Sequence, residues 1–393
     1  MRPAHARWAA KSLLLGMVVA SLAACSKVDE AALLKAELPL MWVRMAGPSP
    51  GKGLVDYPSD GPADIPKAYA MILLAAVDAQ RAGRGFPEAG TVSGLWLLDH
   101  ADENRNGITG WGVPVAWDAY GDGSENPAST EYTIATAIAV HALLDWAGEP
   151  GTAPRDRIME VVLAASQPYF DASMRTPAGL LPYSLSPPDR RYDTFNPAAY
   201  MAGQMQRLSR LVNDPGQAEL LRQAADQTMQ ALLDHRKVNP ATGSWYWNYS
   251  VQEDSSNDLP HASYVVDGIR TYIRHGGRLA AAFDREKVLA HLDEFLGEKT
   301  PDIRAWPRLR PDVTLAARSY DIGMALHVAC TEPAMAGLRT RLIAATPAYK
   351  DPDGQYLKYP AASKERNFVV REYETYLLRG FETCLAHPVG GAK

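Results

Sequence analysis

The chain has 393 residues, 47% apolar and 22% charged, with 40 basic against 45 acidic side chains and a formal net charge of −5. That apolar fraction can fill a sizeable core, and the length suits one large domain or two small ones. The mild negative charge speaks against a nucleic-acid partner, so an anionic ligand needs a local basic patch, and the three cysteines form no Cys/His cluster with zinc spacing.

Arg2, Arg7 and Lys11 precede an apolar run at 13–20, which leads into Ser21-Leu22-Ala23-Ala24-Cys25. A basic start, a short apolar stretch and small residues before a cut describe a secretory signal. Leu22-Ala23-Ala24-Cys25 also resembles the bacterial lipobox, which implies cleavage before Cys25 and lipidation of its sulfur. Ser26 stands where an Asp would resemble the inner-membrane retention signal. The resemblance therefore implies an outer-membrane lipoprotein, periplasmic or surface-facing, that meets the membrane through its lipid. The run is too short to span a bilayer. The chain divides into 1–24, the signal peptide; 25–61, the lipidated cysteine, a tether and an N-terminal outer helix; and 62–393, the main domain. Without Arg2, Arg7 and Lys11 the mature chain has 37 bases against 45 acids, a net of −8.

Apolar residues at helical spacing recur in twelve segments, and no stretch alternates convincingly as a strand. The segments are 28–45, 66–83, 91–100, 129–147, 155–170, 195–213, 216–235, 260–275, 284–297, 312–331, 334–346 and 366–386. Those at 66–83, 129–147, 195–213, 260–275, 312–331 and 366–386 are rich in Ala, Gly, Met and Tyr and poor in charge. Those at 155–170, 216–235, 284–297 and 334–346 carry Arg, Glu and Asp on one face. Helices apolar nearly all round lie inside and amphipathic ones outside. Six of each predict an all-α fold, the (α/α)6 toroid, with an open solenoid of helix pairs as the competing architecture. Because the chain ends on an inner segment, 28–45 is the outer helix left to close the ring.

Loop lengths carry the functional signal. Connections from inner to outer segments are short (148–154, 214–215, 332–333), whereas those from outer to inner are long and aromatic (101–128, 171–194, 236–259, 298–311, 347–365). In a toroid the long ones share one face, over the N-termini of the inner helices, and loops of that length in a compact domain are usually functional. Tyrosines at 132, 200, 264, 320 and 373 recur near the inner-helix starts, a degenerate internal repeat. The long loops collect Trp111, Trp117, Tyr120, Trp245, Trp247, Tyr249, Trp306, Tyr356 and Tyr359, side chains suited to stacking on sugar rings, so the expected partner is a polysaccharide or oligosaccharide.

The densest stretch is 245–264, WYWNYSVQEDSSNDLPHASY. His261 and Tyr264 are three residues apart at a helix start and share a face, where an imidazole and a phenol can serve as base and acid on a sugar C–H. Tyr249 belongs to the same stretch. Asn257-Asp258-Leu259-Pro260-His261-Ala262-Ser263-Tyr264 resembles the Asn…His-Ser-Tyr segment of toroid-fold alginate lyases, with extra residues between Asn and His. The Trp/Tyr-rich run before it is similar to the C-terminal domain of glucuronyl C5-epimerases. The resemblance covers some twenty residues and the repeat architecture. It implies a uronate-polysaccharide lyase or C5-epimerase that removes the sugar C5 proton after Asn or Arg neutralises the uronate carboxylate. Asn196, Arg318 and Arg371, each at an inner-helix start, are the candidates for that task. Tyr320, Tyr376, Trp111, Trp247 and Trp306 complete the expected substrate-binding set.

Two further patterns carry chemistry. Asp102, Asn104 and Asn106, followed by Gly107, have the rhythm of a calcium loop, but Val113 stands where the bidentate Glu belongs; the chemistry itself requires no cofactor, and a structural calcium is the one metal the pattern admits. Glu131 and Asp118 are the carboxylates available to an alternative glycoside hydrolase. A non-catalytic glycan-binding or assembly lipoprotein is the third reading. Finally, Cys330 and Cys384 lie ten and eleven residues after equivalent tyrosines on successive inner helices, which places them at one level and predicts a disulfide.

Overall fold

The structure, a computed structural model, describes residues 29–56, 61–151, 153–299 and 302–388. The signal peptide and Cys25 lie outside these residues. Among the described residues there are twelve α-helices: α1 (Glu30–Arg44), α2 (Pro66–Arg81), α3 (Glu88–Asp99), α4 (Thr133–Ala147), α5 (Arg155–Ser166), α6 (Phe195–Leu208), α7 (Pro215–Asp234), α8 (Leu259–Arg274), α9 (Arg285–Ala290), α10 (Ser319–Thr331), α11 (Ala336–Ala345) and α12 (Arg371–Ala386). The even-numbered helices pack in sequence around an axis, and α12 packs back on α2 to close the ring. Each odd-numbered helix lies outside the inner helix that precedes it, and α1 covers α12. The fold is an (α/α)6 toroid.

Composition explains which helices go inside. All of α4 except Ile134 and Ala147 is buried, so a charge-poor sequence is required there. Small residues also let inner backbones touch. A Cβ on Gly203 would sit 2.5 Å from the Gly268 carbonyl oxygen, and one on Gly323 would sit 2.4 Å from the Tyr376 carbonyl carbon. At both crossings any side chain forces the helices apart.

Closure depends on α1. Asp29 caps it by accepting from the Ala32 N–H at 3.0 Å, and Leu34, Leu38 and Met41 are buried. Ion pairs tie it to the end of the chain: Glu30 with Arg339 at 3.0 Å, Glu37 with Lys350 at 2.5 Å and Arg44 with Glu374 at 2.5 Å.

Several boundaries differ from the periodicity. Inner helices expected from 129, 312 and 366 begin at Thr133, Ser319 and Arg371, because the preceding residues belong to the loop face. The segment 284–297 divides into α9 and a 3₁₀ turn, His291–Phe295. Two short antiparallel hairpins also occur in the long connections, β1 (Lys52–Leu54) with β2 (Pro62–Asp64) and β3 (Lys237–Val238) with β4 (Trp245–Tyr246). Strands of two or three residues are too short for alternation to register.

The loop face is stitched from sector to sector. The first N–H of an inner helix has no partner within its own helix, and four of the six donate to the next sector's loop: Thr133 to Tyr183, Phe195 to Tyr249, Leu259 to Ala305 and Ser319 to Lys358, at 2.9–3.2 Å. The segment before α2 completes the band. Asp56 takes Lys358 at 2.7 Å on one side, and Val55 and Ile65 pack with Val115 on the other. At the opposite end of the ring Cys330 and Cys384 form a disulfide between α10 and α12, their Cα atoms 4.9 Å apart.

Candidate functional site

The N-termini of all six inner helices converge on a cavity of about 230 Å³ in the middle of the loop face. Each sector contributes to its lining: Asp56 and Lys67, then Trp117 and Tyr132, then Tyr183 and Asn196, then Tyr249, His261 and Tyr264, then Arg318 and Tyr320, and last Glu372 and Tyr373. The positive ends of six helices also point at it, which favours a ligand carrying negative charge.

Asp258 organises one wall. It is the N-cap of α8 and its side chain takes the His261 backbone N–H. Its Oδ1 also pairs with His261 Nδ1, and its Oδ2 accepts from Arg318 Nη2 at 3.1 Å. Burial alone would raise this carboxyl, but its contacts with the His261 ring and the Arg318 guanidinium outweigh burial and hold Asp258 below the usual carboxylate range. A carboxylate on Nδ1 keeps the ring proton there and leaves Nε2 as the basic nitrogen. Nε2 has no protein partner among the described residues, and His261 lines the cavity.

Arg318 is fixed from behind by Asp321, whose oxygens lie 2.9 and 3.2 Å from Nε. Among the described residues its Nη1 has no protein partner, which leaves it to a ligand. Asn196 is 2% exposed, and its amide oxygen has no hydrogen-bond partner. A buried acceptor left this way has a cost of about 1–3 kcal/mol unless a ligand or water supplies a donor.

The floor is phenolic. Tyr320 donates to the Tyr264 hydroxyl at 2.9 Å, and Tyr264 and Tyr376 share a further hydrogen bond at 2.5 Å. Burial raises all three well above the ordinary tyrosine value, so they keep their protons at neutral pH. Tyr249 meets the His261 ring edge-on, with centroids 5.0 Å apart, and burial raises it too.

Beneath this floor a second polar layer fills the axis. His141 meets the Tyr200 hydroxyl at 2.7 Å, Arg207 pairs with Asp145 at 2.6 Å, Arg270 with Asp267 at 2.9 Å, and Arg379 contacts His327 at 3.0 Å. Burial pushes His327 down to about 4, so it is neutral. These groups neutralise one another, as buried charges must.

The structure thus brings His261, Tyr264, Tyr249, Asn196, Arg318 and Tyr320 together at one cavity, with Tyr376 one contact below. Other expected site residues are placed elsewhere. Trp111 and Trp247 are 1% and 2% exposed; their indole N–H groups bond Leu97 and Leu232 carbonyls at the ends of α3 and α7. They wedge outer helices against the ring and cannot stack on a ligand. Trp306 carries Arg310 over its ring, 5.5 Å from the centroid, and does not line the cavity. Arg371 turns away to Lys52 and Arg44 carbonyls and Glu374, anchoring the N-terminal segment.

Glu131 is directed at the loop beside it, accepting from Asn104 at 2.8 Å and Asn106 at 3.4 Å. Asp102, Asn104 and Asn106 use their side-chain oxygens on the backbone N–H groups of Asn106, Gly107 and Ile108, the arrangement of an Asx-turn loop. No cluster of three metal-ligating His, Cys, Asp or Glu occurs among the described residues. Asp118 likewise closes its own turn, through the N–H groups of Tyr120, Asp122 and Gly123. Asn257 is buried, with both amide atoms unpartnered, and does not line the cavity.

Residues that sequence reasoning missed are Asp56, Lys67, Asp258 and Glu372. Lys67 pairs with Glu372 at 2.6 Å across the α2–α12 seam, so nothing local announces either. Asp258 did carry a signal, an Asp followed by Leu-Pro at a helix start, which is an N-cap pattern.

An (α/α)6 toroid with an axial cavity ringed by tyrosines and served by a His–Asp pair is the class this geometry defines. No family model and no curated sequence matches the chain. Solved structures share the fold. They include a GH76 α-mannanase of Bacteroides thetaiotaomicron, at TM-score 0.60 and 11% identity over 92% of this chain and 96% of that one. The cellobiose 2-epimerase of Spirochaeta thermophila aligns at TM-score 0.58 and 14% identity, over 91% and 96%. A possible member of the GH105 family from Salmonella enterica aligns at 0.54 and 12%, over 90% and 93%. At these identities the likeness establishes the fold.

Proposed function

We propose that this chain is a carbohydrate-active enzyme that removes the C5 proton of a uronate residue, as a lyase or a C5-epimerase. The observation that carries the reading is Asp258, one carboxylate that holds His261 through Oδ1 and Arg318 through Oδ2. Carbon-acid chemistry needs that pairing. A base must reach the C–H while a cation beside it takes the charge that develops on the neighbouring carboxylate.

In this reading Arg318 Nη1 and the Asn196 Nδ2 amide hydrogens receive the uronate carboxylate, and the unpartnered Asn196 Oδ1 accepts from a sugar hydroxyl. His261 Nε2 takes the C5 proton, and the electron pair of the C–H bond passes into the carboxylate as an enolate. For a lyase the enolate collapses, C4=C5 forms, the C4–O bond breaks, and a tyrosine hydroxyl protonates the leaving oxygen. For an epimerase a proton returns to C5 from the opposite face. Tyr249 in the wall and Tyr264 in the floor, both kept protonated, are the donors this reading assigns. The carboxylates that line the cavity, Asp56 and Glu372, are each occupied by a lysine, which disfavours a paired-carboxylate hydrolase.

The test is His261→Ala assayed on uronate oligosaccharides, following unsaturated products by ultraviolet absorbance and deuterium uptake at C5 from heavy water. General-base loss predicts a fall of about 10²–10⁴-fold in both signals. Wild-type turnover that releases sugars without either signal sinks the reading in favour of a hydrolase. Saccharide binding with no turnover leaves a glycan-binding lipoprotein. The proposed location is the outer membrane, through a lipid on Cys25; the chain exported behind an ordinary cleavable secretory signal in place of 1–25 should appear in the soluble periplasmic fraction.

A further inference from the structure

We infer that the cavity admits one terminal sugar residue, so that the enzyme works from chain ends and not along the middle of a polymer. This rests on the uronate reading for the identity of the sugar, but not for the shape of the site.

A cleft that holds the middle of a chain must be open at two opposite sides, so that both ends of the polymer can leave. Here the lining comes from all six sectors, and neighbouring sectors are joined around the circle. Each inner-helix start joins the next sector's loop, through Thr133–Tyr183, Phe195–Tyr249, Leu259–Ala305 and Ser319–Lys358. The segment before α2 closes the remaining arc, with Asp56 on Lys358 and Tyr373 and with Val55 packed beside Val115. The floor is shut by Tyr264, whose hydroxyl is held by Tyr320 and Tyr376. Among the described residues the way in is along the axis from the loop face.

Size agrees. About 230 Å³ falls below the ~300–1,000 Å³ of sites that engulf larger ligands. A space of this size suits a single pyranose ring with its carboxylate. His261, Arg318 and Asn196 all lie in its wall, so the ring that enters is the ring that reacts. For elimination, its O4 substituent must lead out to the mouth, which makes the bound residue the reducing end and the product an unsaturated monosaccharide. A residue entering from the other end has no O4 leaving group, and only epimerisation is open to it.

Calorimetry on the full mature chain carrying His261→Ala tests this, with uronate oligomers of one to six residues and a matching neutral series. The expected result is affinity that rises by no more than a few-fold beyond two residues. Affinity that climbs ten-fold or more from two to six residues, as additional rings find subsites, overturns the inference even if uronates are the ligand. A plateau seen with the neutral series alone keeps the chain-end geometry and removes the uronate reading. Binding by neither series overturns both.

Discussion

In the proposed reaction Asp258 is a positioning residue, since it touches His261 and the Arg318 guanidinium and does not line the cavity. Asp258→Asn preserves the shape of the N-cap but removes the charge that fixes His261 and Arg318. We expect kcat to fall by about 10²-fold or more, with KM changed far less, because Asp321 still holds Arg318. A large rise in KM at unchanged kcat would contradict that role. His291 shows the opposite case, a titratable group with no part in the site. It is buried, neither ring nitrogen has a partner, and burial pushes it down to about 3 from the ordinary 6.5. Between those two values the unfolded chain binds a proton that the fold does not, so stability is lost as pH falls from 7 toward 4. His291→Phe removes that linkage and sits beside Tyr246 and Phe295. It should be neutral or stabilising at pH 7, and the melting temperature should fall less steeply on acidification than in the wild type. An equal or steeper fall counts against this account.

At the scale of the element, α1 is the helix whose role depends most on position. Its buried Leu34, Leu38 and Met41 are each worth about 1.5–3 kcal/mol on burial, a sum comparable with the whole stability of many domains. Leu38→Ala should cost about 2–5 kcal/mol. Deleting 26–46 should leave α12 uncovered and the chain unfolded or aggregated, read by circular dichroism and size-exclusion chromatography. A truncated chain that melts like the parent would show that α1 is an appendage. Inner-helix crossings obey a different constraint: at Gly203 and Gly323 the determinant is the absence of a side chain, and apolar burial has no part in it.

At the scale of the molecule, the ring is held shut twice at the α10–α12 seam, by the Gly323 contact and by the Cys330–Cys384 disulfide. The bridge spans a sequence separation of 54, for which unfolded-state entropy gives about 4 kcal/mol. Alkylation and mass spectrometry of non-reduced protein should find neither thiol modified, and Cys330→Ala/Cys384→Ala should melt lower by several degrees. Two alkylated cysteines in the non-reduced protein would refute it. Because each loop depends on its neighbour for a hydrogen bond, a lesion in one sector should also loosen the next, whereas an open array of pairs confines damage locally.

The sequence by itself determined the helices, their inner and outer assignment and the closing role of α1. Burial acts on every residue of a helix, so composition and 3.6-residue periodicity report it directly. It also pointed to the long-loop face and marked His261, Tyr264, Asn196 and Arg318, which the fold brings to one cavity, because polar groups at the start of a charge-poor helix have few structural explanations. Only tertiary structure decided what each group faces. Trp111 and Trp247 looked like sugar platforms and are packing wedges, Glu131 looked like a catalytic acid and holds a turn, and Arg371 points outward to the N-terminal segment. Lys67 and Glu372 meet across 305 positions of chain, and Asp56 joins Lys358 across 302. Periodicity encodes a residue's distance from the axis, but a side chain's partner is fixed by ring closure, which brings together segments with no local memory of one another.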